Sequence, residues 1–279
     1  MSICYIPQTL EELGENLTHL TENSLVLAGG TDLVLRIHSK LLQPDVLLSL
    51  SDVPDLREIH ITPEQAVIGS MATMHQIEVA LDGLEDLQAL ADAASGVGSP
   101  QIRNKGTLGG NVANASPAAD TPSVLWALNA QVDIMGPGGI RRSMPIQKFM
   151  VGSNKNGLMP GEVVISFTID RSALKGWRSA FHKLGHRSQV TISRIGLVIA
   201  VCEDEDGIVQ DASVVAGAIK PIPFELTAAE DILRGHRAAP SLAAAIGATF
   251  KGNTRRVYKE GAAKGVAEDV LLRLEALKH

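Results

Sequence analysis

The sequence predicts a chain of mixed helices and strands that forms one large or two ordinary domains. Apolar residues recur at helical spacing over residues 9–20, and short apolar or alternating runs such as 25–27 and 163–169 predict strands. A hydrophobic content of 45% beside 20% charged residues is typical of globular proteins rather than disordered ones. The length of 279 residues is enough for a substantial core.

The elements follow one another in a readable order. Thr9 is a candidate N-cap for the first helix, with Glu12 three residues later as in a capping box. The next strand candidates are 25–27, 46–50, 59–61, 66–69, 132–134 and 163–169. The helix candidates between them are 75–90 and 121–130, and Gly136-Pro-Gly-Gly139 predicts a turn.

A polar segment at about 171–176 marks the predicted domain boundary. Beyond it, 193–202 and 209–218 predict strands of a small sheet, and 227–233, 241–250 and 257–277 predict helices. We expect domains at 1–174 and 175–279, and the change of pattern near residue 55 divides the first into about 1–55 and 56–174.

Composition excludes several classes of protein. No run approaches the roughly 18 apolar residues of a membrane span, and a net charge of −6 argues against a general nucleic-acid surface. The two cysteines, Cys4 and Cys202, cannot hold an iron–sulfur cluster, which needs several thiolates. The N-terminal residues lack the basic and apolar regions of a signal peptide, so a cytoplasmic location is expected.

Two glycine pairs stand out as candidate phosphate-binding sites. Gly29 and Gly30 follow the strand at 25–27, and successive amides around such a turn can form a concave anion-binding nest. Gly109 and Gly110 lie in IRNKGTLGGNVANASPAAD, residues 102–120, among short hydrogen-bonding side chains. The spacing matches neither the Rossmann nor the P-loop fingerprint.

Several residues have alternative interpretations. Asp120 precedes the helix at 121–130 and could act only as its N-cap. His182 and His186 have a spacing that can bind metal on a helix, but no third ligand is evident and structural histidines are favoured. The pairs Arg141-Arg142 and Arg255-Arg256 predict solvated faces or subunit contacts.

The order of the motifs resembles the FAD-binding subunits of molybdenum hydroxylases, such as those of xanthine, carbon monoxide and nicotinate dehydrogenases. The matching segments are AGGTDL (28–33), IGSMAT (68–73), QIRNKGTLGGN (101–111), SPAAD (116–120), PGEVVI (160–165), FHK (181–183) and GAIKPIP (217–223). The resemblance implies an α+β fold. Two subdomains of the type found in vanillyl-alcohol-oxidase and peptide-cyclase-type FAD proteins would clasp the cofactor. A C-terminal domain like that of carbon monoxide dehydrogenase flavoproteins would follow.

The resemblance also assigns residues to FAD. Residues 27–33 would wrap the diphosphate with backbone amides, Val164 would pack on the adenine side, and Val97 would lie over the flavin where some relatives place an aromatic residue. The complete set that it implies is Leu27, Ala28, Gly29, Gly30, Thr31, Asp32, Leu33, Val97, Thr107, Gly109, Gly110, Asn111, Asn114, Asp120, Val164 and Lys183. No catalytic residue, no metal ligand and no pocket for the organic substrate are expected.

The implied function is electron transfer. A molybdopterin-binding large subunit would oxidise the substrate, and electrons would pass through 2Fe-2S clusters of a small subunit to FAD and then to NAD or another acceptor. A dimer of heterotrimers and a xanthine or purine dehydrogenase are expected. The alternatives are an enzyme for nicotinate, another N-heterocycle, an aldehyde or carbon monoxide, a stand-alone flavin oxidoreductase, and a flavin-free scaffold.

Overall fold

The computed structural model describes residues 3–185, 192–254 and 256–277. It begins with a small parallel sheet of order β1-β3-β2 and two helices. The bounds are β1 Ile3–Tyr5, α1 Leu10–Asn16, β2 Leu25–Leu27, α2 Leu33–His38 and β3 Val46–Ser49. Thr9 caps α1 as predicted, since its hydroxyl accepts the Glu12 amide at 3.1 Å.

A five-stranded antiparallel sheet of order β4-β5-β10-β6-β7 follows. Its strands are β4 Ile59–Ile61, β5 Gln65–Gly69, β6 Gln131–Met135, β7 Arg141–Pro145 and β10 Val163–Asp170. The predicted turn at 136–139 joins β6 to β7, and Gly138 and Gly139 adopt φ values of +69° and +77° there, which favour glycine. A short hairpin, β8 Met150–Gly152 and β9 Lys155–Asn156, precedes β10.

Six helices pack around this sheet. They are α3 Met74–Leu81, α4 Gln88–Ser95, α5 Pro100–Arg103, α6 Leu108–Ala113, α7 Thr121–Ala127 and α8 Ile146–Phe149.

The prediction of a single helix over 75–90 is wrong. Asp82 leaves the helical conformation at ψ 128°, Gly83 has φ +80°, and the Gly83 amide donates to the Gln88 side chain at 2.8 Å. Helices α3 and α4 pack on the same core, so apolar residues recur through both of them. This continuous periodicity did not reveal the break between the two helices. The predicted helix at 121–130 ends early, at Ala127, and the chain turns at Asn129 with φ +52°.

The remaining residues form an antiparallel sheet of order β11-β12-β13-β14 covered by helices. The bounds are β11 Trp177–Leu184, β12 Ile195–Glu203, β13 Val209–Gly217, β14 Phe224–Glu225, α9 Thr227–Leu233, α10 Ala243–Ala248 and α11 Val257–Ala276. The helix predicted at 241–250 is shorter than expected, because a 3₁₀ turn at Pro240–Leu242 precedes α10.

Buried apolar side chains form three clusters. One joins α1 and β3 to residues of the inner strands β6 and β10, and another lies between the C-terminal sheet and its helices. The largest surrounds the five-stranded sheet and continues into Phe181, Val198 and Val215 of the C-terminal sheet. The segments before and after the predicted boundary near residue 174 therefore contribute side chains to the same core. Among the described residues, no helix combines the length and apolarity that crossing a membrane requires.

Candidate functional site

A cavity of about 450 Å³ lies between the loop that follows β2 and the segment that leads into α6. Its size is within the roughly 300–1,000 Å³ of small-molecule and cofactor pockets. Both predicted glycine pairs line it, although about 80 residues of chain separate them. The fold thus brings the two candidate phosphate sites to one cavity.

The loop after β2 presents backbone donors to the cavity. Gly30, Thr31 and Asp32 line it, and within the described ranges their amides donate no hydrogen bond to another residue. Gly30 adopts φ +74°, and a Cβ on Gly29 would lie only 1.9 Å from the Lys105 carbonyl oxygen. The loop therefore packs tightly against the opposite wall while consecutive amides remain available for an anion.

The second glycine pair lies in the first turn of α6, not in an open loop. The Thr107 hydroxyl caps this helix by accepting the Gly110 amide at 3.1 Å. A Cβ on Gly109 would come within 2.6 Å of the Ser70 side chain. Ser70 lines the cavity, and its buried hydroxyl has no hydrogen-bond partner among the described residues, which is unusual for a buried polar group.

A partly buried ion pair between Arg142 and Glu162 lies at the cavity. The Glu162 carboxylate lines the cavity and accepts from Arg142 at 2.5 Å and 2.7 Å and from the Met159 amide at 2.6 Å. The Arg142 hydrogen bonds hold the pKa of the Glu162 carboxyl below its usual value, although burial opposes this. Arg141 is exposed, as expected of a solvated face, whereas Arg142 is partly buried and held by Glu162. Arg255 lies outside the described residues.

Asp120 and Lys183 meet beside the cavity rather than in its lining. The Lys183 ammonium donates to the Asp120 carboxylate at 2.6 Å and to the Gly96 carbonyl at 2.8 Å, and the Ser193 hydroxyl donates to Asp120 at 2.5 Å. The Asp120 side chain makes no capping hydrogen bond, so the interpretation of Asp120 as an N-cap alone is wrong. Burial raises the pKa of the Asp120 carboxyl, and Lys183 and Ser193 oppose that rise.

The predicted residues therefore divide into two groups. Leu27, Asp120 and Lys183 do not line the cavity, whereas all the others do. Lys183 is nevertheless connected to the cavity, because it donates to the Gly96 carbonyl and the next residue, Val97, lines the cavity.

Sequence reasoning missed several lining residues. Examples are Ser70, Gly106, Asn156, Leu158 and Glu162. Three of them lie within the motifs IGSMAT, QIRNKGTLGGN and PGEVVI, which the resemblance had already singled out, so those motifs were the available signal.

The alternative of a metal site at His182 finds no support in the described chain. His182 lies in β11, where its ring faces Asp269 at 3.3 Å, and His186 lies outside the described residues. No group of three or more potential ligands occurs among the described residues.

Comparison with known proteins identifies the family. Residues 1–171, more than half of the chain, match the family described as an FAD binding domain in molybdopterin dehydrogenase. The chain belongs to this family. It is thus an FAD-binding subunit of a molybdenum hydroxylase and an oxidoreductase subunit, as the sequence motifs predicted.

Relatives and solved structures agree with this family. The chain is 36% identical to the nicotinate dehydrogenase FAD-subunit of Eubacterium barkeri over 83% of this chain and 79% of that protein. It is 29% identical to the xanthine dehydrogenase FAD-binding subunit of Escherichia coli O157:H7 over 78% and 75% of the two chains.

The α+β fold is confirmed by a carbon monoxide dehydrogenase structure from Hydrogenophaga pseudoflava. The TM-score is 0.84 at 26% identity, over 99% of this chain and 98% of that one. Quinoline 2-oxidoreductase from Pseudomonas putida 86 shares the fold, with a TM-score of 0.86 at 23% identity over 100% and 99% of the chains.

The residues that line the cavity fit FAD, the cofactor of this FAD-binding subunit. Available amides at 30–32 suit a diphosphate, which carries negative charge and only accepts hydrogen bonds. The unpartnered Ser70 hydroxyl and the Asn111 and Asn114 amides suit a chain of hydroxyl groups. At Gly29 a Cβ would collide with the Lys105 carbonyl oxygen, and at Gly109 it would collide with Ser70. The two glycines therefore let the loop after β2 and the start of α6 pack closely enough for both to contact one elongated ligand.

Proposed function

We propose that this FAD subunit carries electrons from 2Fe-2S clusters on a partner subunit to NAD or another acceptor. The observation that carries the proposal is the convergence of both glycine motifs on one cavity with unused backbone donors. FAD, when bound, exchanges single electrons with one partner and a pair of electrons with another. The chain supplies binding, orientation and electrostatics rather than acid–base chemistry.

The proposed roles of the residues follow from where they lie. The loop at 29–33 binds the diphosphate, Thr107, Gly109, Gly110, Asn111 and Asn114 hold the cofactor from the α6 side, and Val164 packs near the adenine. Val97 covers part of the flavin. Leu27, Asp120 and Lys183 support these walls, since each is adjacent to the lining rather than part of it.

The substrate of the complete enzyme is proposed to be a nitrogen heterocycle. The sequence motifs alone gave a purine such as xanthine as the first candidate and nicotinate as the second. The identity of 36% to a nicotinate dehydrogenase subunit, against 29% to a xanthine dehydrogenase subunit, favours the second candidate. Carbon monoxide stays the alternative substrate, because a large subunit rather than this chain would hold the substrate and a carbon monoxide dehydrogenase medium chain is also a relative.

The proposed partners are an iron–sulfur small subunit and a molybdopterin-binding large subunit in a dimer of heterotrimers. The chain itself cannot hold the clusters, because it has only two cysteines and they lie far apart in sequence. We propose a cytoplasmic location for the assembly.

An anaerobic visible spectrum of the natively purified complex tests the proposal. We expect flavin bands beside those of the iron–sulfur clusters, and we expect NADH to bleach the flavin. Purine, nicotinate and carbon monoxide, added separately with dye as acceptor, then distinguish the substrates.

Other spectra would redirect or overturn the proposal. Flavin that NADH leaves oxidised would indicate a different acceptor. A lone subunit that turns over a small molecule would favour a stand-alone oxidoreductase. Protein that remains colourless after incubation with FAD would mean a flavin-free scaffold and would contradict the proposed function.

A further inference from the structure

Three cationic side chains meet at one end of the C-terminal sheet, outside the FAD cavity. The Arg194 guanidinium donates to the Tyr258 hydroxyl at 2.7 Å and stacks over its ring at 5.4 Å. Lys259, only 6% exposed, donates to the Ala218 carbonyl at 2.6 Å. Arg256 immediately precedes α11, which carries both Tyr258 and Lys259.

Among the described residues, no carboxylate forms an ion pair with this cationic cluster, Arg194, Arg256 and Lys259. None of the ion pairs between described residues includes any of the three, and the sequence has no Asp or Glu outside the described ranges. The Arg194 Nε is buried and has no hydrogen-bond partner among the described residues. Lys259 is buried, Arg194 is partly buried and Arg256 is exposed. Buried cationic groups without a counter-charge are costly, so the charges of Lys259 and Arg194 favour a bound anion.

The charges of the cluster affect one another's protonation. Burial lowers the pKa of the Lys259 ammonium, and Arg256 and Arg194 lower it further against the opposing effect of Tyr258. Desolvation would raise the pKa of the Tyr258 phenol, but Arg194, Arg256 and Lys259 together outweigh it and the pKa is lowered. An anion would relieve this concentration of positive charge.

Strand register connects the cluster to Lys183, which lies beside the cavity. Lys183, Gly196 and Gly217 are neighbours across β11, β12 and β13. Arg194 comes just before Gly196, and Ala218 comes just after Gly217. Lys183 in turn bonds to the Gly96 carbonyl, next to Val97.

We propose that Arg194, Arg256 and Lys259 form a second anion site, which binds the diphosphate of a dinucleotide electron acceptor. Guanidinium groups match phosphate oxygens geometrically, and three cations suit the two charges of a diphosphate. The identity of the acceptor rests on the proposed function, whereas the anion site itself rests only on the contacts above. Free inorganic phosphate shares the same chemistry and is the other source that the test distinguishes.

The test uses the FAD-loaded complex with Arg194→Gln and Arg256→Gln, and with Arg237→Gln as matched control. Arg237 is exposed in the same domain and follows His236, whose carbonyl bonds to Val209 at the opposite end of β13. Lys259 is left intact because its burial makes misfolding a competing explanation. Flavin content and circular dichroism verify that each variant is folded.

Calorimetric titration with inorganic pyrophosphate gives the decisive measurement. The wild type and Arg237→Gln should bind it, and each cluster variant should bind it at least about tenfold more weakly, a loss of about 1.4 kcal/mol. The KM for NADH should rise by a similar factor in the cluster variants. Pyrophosphate that fails to bind the wild type, or that binds all variants equally, would overturn the proposal.

One combination of the pyrophosphate and NADH results separates the anion site from the proposed dinucleotide acceptor. If pyrophosphate binding depends on Arg194 and Arg256 but NADH never reduces the flavin, the cluster holds phosphate from another source. That result would confirm the anion site and refute the dinucleotide as its ligand.

Discussion

Gly29 is the residue at which the fold leaves least room. A Cβ there would lie 1.9 Å from the Lys105 carbonyl oxygen and 3.1 Å from the Gly106 Cα. Backbone atoms cannot move aside as the end of a flexible side chain can. The two walls of the cavity are therefore held in contact at this position.

Gly29→Ala should separate the walls and lower the affinity for FAD by at least about tenfold. The ratio of visible to ultraviolet absorbance of the purified protein measures the retained flavin. Gly261→Ala is the control, because nothing lies within 4 Å of its added Cβ in the helix α11, and it should gain up to about 1 kcal/mol of helix stability. Full flavin retention in Gly29→Ala would contradict this account of the site.

Lys183→Met should destabilise the protein strongly, by about 3–5 kcal/mol, because it leaves the Asp120 carboxylate buried without its cation. Asp120→Asn combined with Lys183→Met should cost less than the sum of the single changes. Urea unfolding monitored by circular dichroism measures each member of the cycle. Additive losses would show that the two side chains do not act as a pair.

At the scale of elements, the Arg142–Glu162 pair joins β7 to the turn that enters β10. Arg142 also donates to the Gly157 carbonyl at 2.9 Å, so one side chain connects three segments at the end of the cavity. The pair lies beside Val163 and Val164, which form part of the wall. Loss of the Arg142–Glu162 ion pair should therefore alter the cavity wall at Val163 and Val164, where we propose that the adenine packs.

Glu162→Gln should lower the free energy of unfolding by about 2 kcal/mol at pH 7, since a charged hydrogen-bond acceptor is lost. The pKa of Glu162 is lowered in the folded protein, so its contribution is present above the unfolded value of about 4.3 and disappears as pH falls through the folded value. The difference between variant and wild type should shrink below about pH 4. Urea titrations at pH 7 and at about pH 3, below the unfolded pKa, measure this difference, and the exposed Glu64→Gln serves as control. A pH-independent difference would exclude the ionised pair as the cause.

At the scale of the whole molecule, the largest core crosses the boundary predicted near residue 174. Phe181, Val198 and Val215 complete the cluster that surrounds the five-stranded sheet. Ser179 of β11 adds hydrogen bonds to the chain that enters α4, accepting the Ala89 amide at 3.1 Å. The division at 174 stays a prediction, and this shared core indicates that the two parts depend on each other.

A fragment of residues 1–174 should expose apolar surface and fail to retain FAD when produced alone. Dye binding, sedimentation and the flavin spectrum measure this, and co-production with residues 175–279 should restore all three. A monomeric fragment that unfolds cooperatively and binds FAD would show that the first domain is independent.

The motifs of the sequence determined the family and the α+β fold, and they contain many of the residues that line the cavity. Glycine pairs, short polar side chains and capping residues act locally, so their meaning can be read from neighbouring residues. Strands such as β2 and β13 were predicted close to their observed bounds for the same reason.

Only the tertiary structure decided which distant groups meet. The break at Gly83, the helix that carries Gly109, and the union of Asp120 with Lys183 across 63 residues depend on packing and burial. The cationic cluster at Tyr258 likewise forms only when β12 and α11 come together. Sequence patterns specify local conformation and the buried face of an element, whereas the pairing of buried charges requires the assembled core.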